Sequence, residues 1–253
     1  MGLSTAQRLV RRTARLTASV LDRIPWITGV RVIMYHSIGG SAIDDISGTY
    51  TLSKQLFNEH LTLLKRLVRE RSLVSLPLGA YHPRGVTLTF DDGYCDSAEA
   101  AFAAAEDGLF VTMFVIAQRV DSSPEFLSTA QLRDLAEHPR IQIGAHGASH
   151  HRLSALSTDE VRQELETSRS RLTTITGKDV TCMSYPHGSY DARILTEVAR
   201  AGFRFAATSE TGFFRLRSHP LEIPRLDIWA GDSPHDLLGL LRGSTNYLGW
   251  RSS

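Results

Sequence analysis

Short apolar segments alternate along this chain with longer segments of helical character. The apolar segments are continuous, and they cover residues 30–36, 85–90, 109–116, 141–145, 180–185, 203–208 and part of 221–229, with a shorter one near 73–76. The helical segments cover residues 53–71, 96–107, 129–137, 157–175, 191–201 and 233–241. Strands that are apolar along their whole length are typical of a parallel sheet covered by helices. With about seven strand–helix units, we expect an α/β fold with a closed or nearly closed barrel rather than an open sheet.

Composition excludes several classes of protein. A hydrophobic fraction of 42% and a charged fraction of 22% are ordinary for a soluble globular protein. The formal net charge of +1 gives no general reason to expect a nucleic acid as partner. The two cysteines are too few for a disulfide scaffold and are consistent with a reducing compartment. This cysteine usage makes a cytoplasmic location our expectation. Because no stretch of about 18 apolar residues occurs, we also expect no transmembrane helix.

Residues 1–28 differ from the rest of the chain. Five arginines lie among apolar residues spaced three and four apart, and no acid precedes Asp22. This spacing predicts a basic amphipathic helix. The arginines argue against a signal peptide, because they interrupt the continuous apolar core that a signal peptide needs. Such a helix can lie on an anionic membrane surface, or pack on the domain with its arginines in water, and we slightly favour packing. We therefore divide the chain into this segment and one main domain over residues 29–253.

Two adjacent acids, Asp91 and Asp92, end the apolar segment 85–90, and Gly93 follows them. Carboxylates at the end of a buried strand are costly unless they bind a metal, form an ion pair or transfer protons. In α/β folds this end of the strand is also where ligands bind. The alternative is an ordinary turn, in which Asp91 caps the next helix.

Two histidines four positions apart, His146 and His150, follow the apolar segment 141–145. If these residues take a helical turn, both imidazoles point to the same side. Together with a carboxylate they form a two-histidine, one-acid set, which suits zinc, iron or cobalt. Such a pair alone is a weak indication, but beside Asp91 and Asp92 it favours a metal site.

Polar residues also follow two other predicted strands. Tyr185, Pro186, His187 and Gly188 come after residues 180–185, where proline stiffens the backbone and glycine permits close approach of a substrate. A backbone N–H held there could donate to an oxyanion, although the same residues also suit a plain turn. His36 ends the first strand and is well placed for a general acid.

These residues resemble motifs of the polysaccharide deacetylase family, the NodB-homology enzymes of carbohydrate esterase family 4, over about residues 30–230. Residues 89–93, Thr-Phe-Asp-Asp-Gly, match the first family motif, residues 146–150 match the second, and residues 185–188 look like a form of the third. The resemblance implies a distorted (β/α)7 barrel. It also implies that Asp91 is the catalytic base and that Asp92, His146 and His150 bind the metal.

The chain departs from the family pattern in three places. The arginine that often opens the third motif is missing, and Arg225 is the candidate to replace it. The fourth motif is recognisable at most as residues 227–229, where Trp229 could line the acetyl pocket. His219 and His235 lack the context of the usual late histidine. Residues 34–36 instead resemble the start of circularly permuted members such as the poly-N-acetylglucosamine deacetylases, which assigns the acid role to His36.

The resemblance implies hydrolysis of N-acetyl groups from an amino-sugar-containing glycan or glycolipid. The implied cofactor is one divalent metal ion, zinc first, with cobalt, nickel and iron as alternatives. The partner is then an N-acetylated saccharide, with membrane contact through residues 1–28 as a further expectation. Two other functions stay open: a deformylase or other C–N amidase on the same scaffold, and a non-catalytic carbohydrate-binding protein.

Overall fold

The computed structural model describes residues 25–40, 42, 45 and 47–243. The amphipathic helix predicted within residues 1–28 therefore lies almost entirely outside the described residues. Trp26 and Ile27, at the end of that segment, pack against the main core. Among the described helices, none combines the length and the apolar character needed to cross a bilayer.

Strands and helices alternate through the described residues. The strands are β1 (Gly29–Tyr35), β2 (Ser37–Ile38), β3 (Thr51–Leu52), β4 (Val74–Ser75), β5 (Arg84–Phe90), β6 (Val111–Val115), β7 (Ile141–Ala145), β8 (Cys182–Ser184), β9 (Phe205–Thr211) and β10 (Ile223–Asp227). The α-helices are α1 (Lys54–Arg69), α2 (Asp96–Glu106), α3 (Thr129–Glu137), α4 (Thr158–Thr176), α5 (Ala192–Arg200) and α6 (Pro234–Arg242). Residues 37–50, for which the sequence pattern predicts a loop between the first strand and the first helix, contain the short strand β2, which pairs with β3 in a separate small sheet.

Seven parallel strands close into a barrel in the order β1, β10, β9, β8, β7, β6, β5, and β5 pairs back with β1. The short β4 pairs with the start of β5 and stands outside this ring. The predicted (β/α)7 barrel is thus confirmed. Tyr35 pairs with Phe90 in the register of β1 and β5. The residues that follow them, His36 and Asp91, consequently leave neighbouring strands at the same level.

The core has two layers, as expected for a barrel inside a ring of helices. Val30 and Val32 belong to a small buried cluster, whereas Ile33 and Tyr35 on the same strand belong to the large one. Because successive side chains of a strand point to opposite faces, the small cluster fills the barrel interior and the large one lies under the helices. The apolar strands are therefore buried on both faces.

The capping residues act as their positions in the sequence predict. Ser53 accepts a hydrogen bond from the N–H of Leu56 at the start of α1. Ser157 and Glu160 form a capping box at the start of α4, and Gly177 ends that helix with a φ of 68°. These caps satisfy backbone groups that a helix end leaves without partners. The two serine caps set where α1 and α4 begin after loops at the carboxyl ends of the strands.

Candidate active site

The carboxyl ends of the barrel strands surround a cleft of about 560 Å³. Most of the side chains predicted for the site line it: His36, Asp91, Asp92, His146, His150, Tyr185, His187 and Trp229. Arg225 lies beneath the cleft, inside the barrel and 1% exposed. Parallel strands present their carboxyl ends at one end of a barrel, so residues from distant parts of the sequence meet there.

Asp91 forms a buried, bidentate ion pair with Arg225. Both guanidinium Nη atoms donate to the Asp91 carboxylate at 2.7 Å. Arg225 also donates to the carbonyl of Thr208 at 2.8 Å and to Thr89 Oγ1 at 3.2 Å. Burial raises the pKa of Asp91, but the charge and hydrogen bonds of Arg225, together with the charges of His146 and His36, outweigh burial and hold that pKa below its usual range. The carboxylate is therefore ionised at neutral pH, and the two hydrogen bonds from Arg225 fix its orientation.

The alternative in which Asp91 merely caps the next helix does not agree with this geometry. Helix α2 begins after Cys95, and no side chain caps its first turn. Asp91 points into the barrel instead, where Arg225 holds it. Asp92 takes a left-handed backbone conformation, with a φ of 73°, which turns its side chain away from that of Asp91.

Asp92 meets two imidazoles beside the ion pair. Its Oδ1 lies 3.4 Å from His146 Nε2 and 3.3 Å from His150 Nε2. One ligand atom from each of the three residues lies within 4.8 Å of the others. Burial would raise the pKa of Asp92, but the imidazole of His146 and the charge of His36 keep it well below its ordinary value. Burial also lowers the pKa of His150 to about 3, so its ring is neutral at physiological pH.

The hydrogen bonds of His146 leave one ring nitrogen for a ligand. Its Nδ1 lies 3.0 Å from the carbonyl oxygen of Ser184, which can only accept, so Nδ1 carries the proton. Burial lowers the pKa of His146, but the charges of Asp91 and Asp92 outweigh burial and raise it, so without a metal ion Nε2 carries a proton that faces Asp92. Once that proton is displaced, as metal binding requires, Nε2, the Asp92 carboxylate and the neutral ring of His150 offer three converging electron pairs, which favour a cation at their centre. The donor set therefore fits a divalent metal ion.

The loop between the two histidines is not the helical turn that the four-residue spacing suggests. Residues 146–150 are irregular, and Gly147 and His150 both have left-handed φ angles, of 72° and 70°. Glu164 on α4 holds this loop, since its carboxylate accepts from the backbone N–H of Ala148 at 2.8 Å and of Ser149 at 3.0 Å. These contacts give partners to backbone donors that would otherwise have none among the described residues.

Glu164 was not identified from the sequence, although a pattern for it exists. Val161, Leu165 and Ser168 form the buried stripe of α4. Glu164 falls on the same stripe by its three- and four-residue spacing, so it is an acid at an inward position. Such a residue needs a polar partner, and here the partner is the histidine loop.

The loop after β8 brings His187 to the histidine pair. Residues Pro186–Gly188 form a short 3₁₀ turn. The His187 ring centre lies 4.3 Å from that of His150, and burial and nearby Arg152 lower the pKa of His187. Pro186 is buried and does not line the cleft. A Cβ on Gly188 would lie 2.8 Å from the Ser209 side chain, so the close approach that this glycine permits is to β9 and not to a substrate.

Tyr185 and Trp229 form fixed walls of the cleft. The Tyr185 hydroxyl donates to the carbonyl of Leu221 at 2.9 Å. Trp229 Nε1 donates to Asp227 Oδ2 at 2.7 Å, and its backbone N–H donates to Asp232 at 2.9 Å. Both aromatic side chains are therefore held by hydrogen bonds rather than by apolar packing alone.

His36 shares its side of the cleft with Tyr50, a residue that the sequence did not indicate. The two ring centres lie 4.6 Å apart. His36 Nδ1 is buried and has no hydrogen-bond partner among the described residues. Tyr50 is held in place by Asp45, whose carboxylate accepts from the backbone N–H groups of Thr49 and Tyr50 at 2.8 and 2.7 Å. An aspartate that closes its own loop in this way is common in turns but does not reveal which cleft the loop borders.

Comparison with known proteins identifies relatives of this chain. The family model described as polysaccharide deacetylase matches residues 79–206. The Bacillus subtilis protein YxkH, whose name assigns it to the polysaccharide deacetylases, is 26% identical over 188 residues, 72% of this chain and 64% of its own. A chitin deacetylase from Pestalotiopsis sp. is 30% identical over 122 residues, 48% of this chain and 40% of its own. The chain thus spans less than two thirds of the length of these curated relatives.

Solved structures share the fold. A polysaccharide deacetylase from Bacillus cereus is 22% identical with a TM-score of 0.72, over 84% of this chain and 69% of its own. The Streptococcus pyogenes deacetylase PplD, solved in complex with acetate, is 22% identical with a TM-score of 0.71, over 85% and 99%. IcaB from Ammonifex degensii is 18% identical with a TM-score of 0.71, over 85% and 97%. At these identities the likeness concerns the barrel architecture.

Proposed function

Because this chain belongs to the polysaccharide deacetylase family, we propose that it is a metal-dependent hydrolase that removes N-acetyl groups from an amino-sugar-containing glycan or glycolipid. One observation carries the proposal: an ionised, buried carboxylate, Asp91, lies beside a three-residue metal-ligand set at the end of an open cleft. A protein that only binds carbohydrate needs neither group. The relatives named as deacetylases support the reaction class, and the glycan itself is part of the proposal.

Asp92, His146 and His150 are the residues that would hold the metal ion. We propose zinc, because neutral imidazoles and one carboxylate are a usual set for catalytic zinc, with cobalt, nickel and iron as alternatives. When bound, such an ion supplies Lewis-acid polarisation of a carbonyl and lowers the pKa of water from about 15.7 towards 7. Ser184 and Glu164 support this set by orienting the ring of His146 and the loop of His150.

Asp91 acts as the general base that takes a proton from the attacking water. A base must be ionised before it can accept a proton, and Arg225 keeps Asp91 ionised by lowering its pKa. The two hydrogen bonds from Arg225 also prevent the carboxylate from rotating. Arg225 thus takes the place of the arginine missing from the third motif, although it comes from β10.

His36 acts as the general acid that protonates the leaving amine. It follows β1, next to β5, so it reaches the same cleft as Asp91. An amine leaves poorly as an anion, and a proton from an imidazole removes that difficulty. A backbone N–H near His187 donates to the oxyanion, and Trp229 with Tyr185 borders the acetyl group.

Metal content and acetate release together test this function. His146→Ala and His150→Ala should each lower the bound metal and the acetate released from N-acetylated oligosaccharides. His151→Ala is the matched control, because His151 is the next residue in the sequence but is exposed and lies outside the ligand set.

A double variant of His146 and His150 that retains stoichiometric metal would contradict the ligand assignment. Release of formate without acetate would point to the deformylase alternative. Binding of glycans without any turnover in the metal-loaded protein would point to a carbohydrate-binding protein.

A further inference from the structure

The end of the barrel opposite the cleft carries a group of exposed arginines. Arg84 begins β5, Arg204 precedes β9, and Arg215 and Arg217 lie in the connection from β9 to β10. All four side chains are exposed, and none is paired with a carboxylate among the described residues. We call these four residues the basic end.

A tight turn within the basic end presents an apolar side chain to solvent. Leu216 lies between Arg215 and Arg217 and is 73% exposed, the sole large apolar side chain so exposed in the described part of the chain. The turn is well defined, since the N–H of Ser218 donates to the carbonyl of Arg215 at 2.9 Å, and the N–H of Arg215 donates to Ser218 Oγ at 3.0 Å. One exposed leucine is unremarkable alone, but between two arginines it has the composition of a membrane-surface contact.

The charge of the basic end is opposite to that of the rest of the domain. Residues 25–243 contain 22 Lys and Arg against 26 Asp and Glu. The basic end therefore concentrates positive charge on a domain that is negative overall. The cleft lining carries Asp45, Asp91, Asp92 and Asp227, but it also carries Arg152, and Asp91 is paired with Arg225. An anionic surface would therefore attract the basic end more strongly than the cleft end, which orients the domain.

The amino-terminal segment joins the domain at the same end. Residues 25–28 lead into β1, which begins at Gly29. The N–H of Gly29 donates to the carbonyl of Pro83, the residue before Arg84. A Cβ on Gly29 would lie 3.7 Å from the Arg215 side chain. Residues 1–24, which precede this point in the sequence, carry five arginines and one acid.

We propose that the basic end, with Leu216 at its tip, is a docking surface for an anionic lipid bilayer. Each Lys or Arg near such a surface contributes favourably, and the effect falls off within a Debye length. Docking by this end turns the cleft away from the lipid. The seven residues of β1 span about 20 Å between the two ends. The protein would therefore act on glycan that extends from the membrane rather than on groups at the lipid surface.

Vesicle co-sedimentation of the full-length protein tests the proposal. The vesicles are phosphatidylcholine alone or phosphatidylcholine mixed with phosphatidylglycerol, each at low and at physiological salt. We expect binding to the anionic vesicles that weakens as salt rises. The double variant Arg215→Glu with Arg217→Glu should lower the partition constant at least about tenfold. Leu216→Ser should lower it several-fold at both salt concentrations, because apolar burial is not screened.

The matched control is the double variant Lys54→Glu with Arg193→Glu, which makes the same change in net charge at the cleft end. Its partition constant on anionic vesicles should stay within about twofold of that of the parent protein. The changed charges lie farther than a Debye length from the lipid when the basic end is docked, so salt screens them. Equal loss in the two double variants would overturn the proposal, because total charge would then explain binding. Undiminished binding in the Arg215 and Arg217 variant would also overturn it and assign any contact to residues 1–24.

The test is independent of the proposed function. Neither Leu216 nor the arginines of the basic end touch the cleft, so all variants should hydrolyse a small soluble substrate at the parent rate. Loss of vesicle binding together with loss of activity would indicate misfolding of that variant. A second double variant, Arg84→Glu with Arg204→Glu, provides the check. It should also lose vesicle binding while it retains activity. If that variant binds normally, the proposal fails.

Discussion

Arg225→Met should destabilise the protein more than any other single change at the cleft. The side chains of Arg225 and Asp91 are 1% and 3% exposed, and two charge-assisted hydrogen bonds of 2.7 Å join them. Removing one member of such a pair leaves a buried charge without compensation, which costs about 3–5 kcal/mol of unfolding free energy. Methionine fills similar volume, so little of that loss comes from a cavity.

The loss should depend on pH in a defined direction. In the parent protein the pKa of Asp91 is lowered, so the pair stabilises the fold above the unfolded pKa, about 3.9, and this contribution disappears as pH falls through the lower folded value. In Arg225→Met, burial without the guanidinium raises the pKa of Asp91. The penalty is then largest at neutral pH and is relieved as pH falls towards about 4.

Urea unfolding of the metal-free protein at several pH values measures this difference. The double variant Asp91→Asn with Arg225→Met is the matched partner, and it should recover part of the stability, since no carboxylate is left to bury. Arg200→Met is a control at an ion pair whose arginine is exposed, and it should cost less than about 1 kcal/mol, because the buried Glu197 keeps Arg162 as a second partner.

The reasoning is refuted by either of two results. One is a loss below about 1 kcal/mol at neutral pH, which would mean that water or another cation replaces Arg225. The other is a loss of unfolding free energy that does not become smaller as pH falls, which would show that the buried Asp91 carboxylate is not the source of the loss. Kinetics give an independent readout, because the acidic limb of kcat/KM should move to higher pH in the variant.

Four other substitutions separate the roles within the cleft. His36→Ala should leave metal binding intact and reduce amide hydrolysis far more than hydrolysis of an activated ester, because the leaving group of the ester hardly needs a proton. Equal losses of kcat/KM for the two substrates would exclude His36 as the acid. Asp91→Asn should retain metal but lose about 10²–10⁴-fold in kcat, whereas Asp92→Asn should lose metal by elemental analysis, and equal metal loss would mean that the two roles are divided wrongly. Glu164→Gln should weaken metal affinity about 10–100-fold, as outer hydrogen-bond partners of ligands commonly do, measured by competition with a chelator; unchanged affinity would make Glu164 a loop residue only.

Local sequence patterns determined the elements of this protein and their order. Continuous apolar segments predicted the strands, and Ser53, Ser157 and Gly177 marked helix ends, because hydrophobic burial and capping act over a few neighbouring residues. The alternation of strands and helices then favoured a parallel barrel. The residues that end the strands, Asp91 and His146 among them, could be identified for the same reason, since parallel strands finish at one end of the barrel.

Tertiary structure alone decided how those residues are held. Arg225 and Asp91 are 134 positions apart, and the closed order of the strands brings them into contact. The loop from His146 to His150 departs from a helical turn because Glu164, from the next helix, satisfies its backbone N–H groups. The small pairing of β2 with β3 and the placement of Tyr50 beside His36 depend likewise on contacts between separate segments. A local pattern states which side chain a strand end carries, whereas the partner of that side chain is set by the register and closure of the whole barrel.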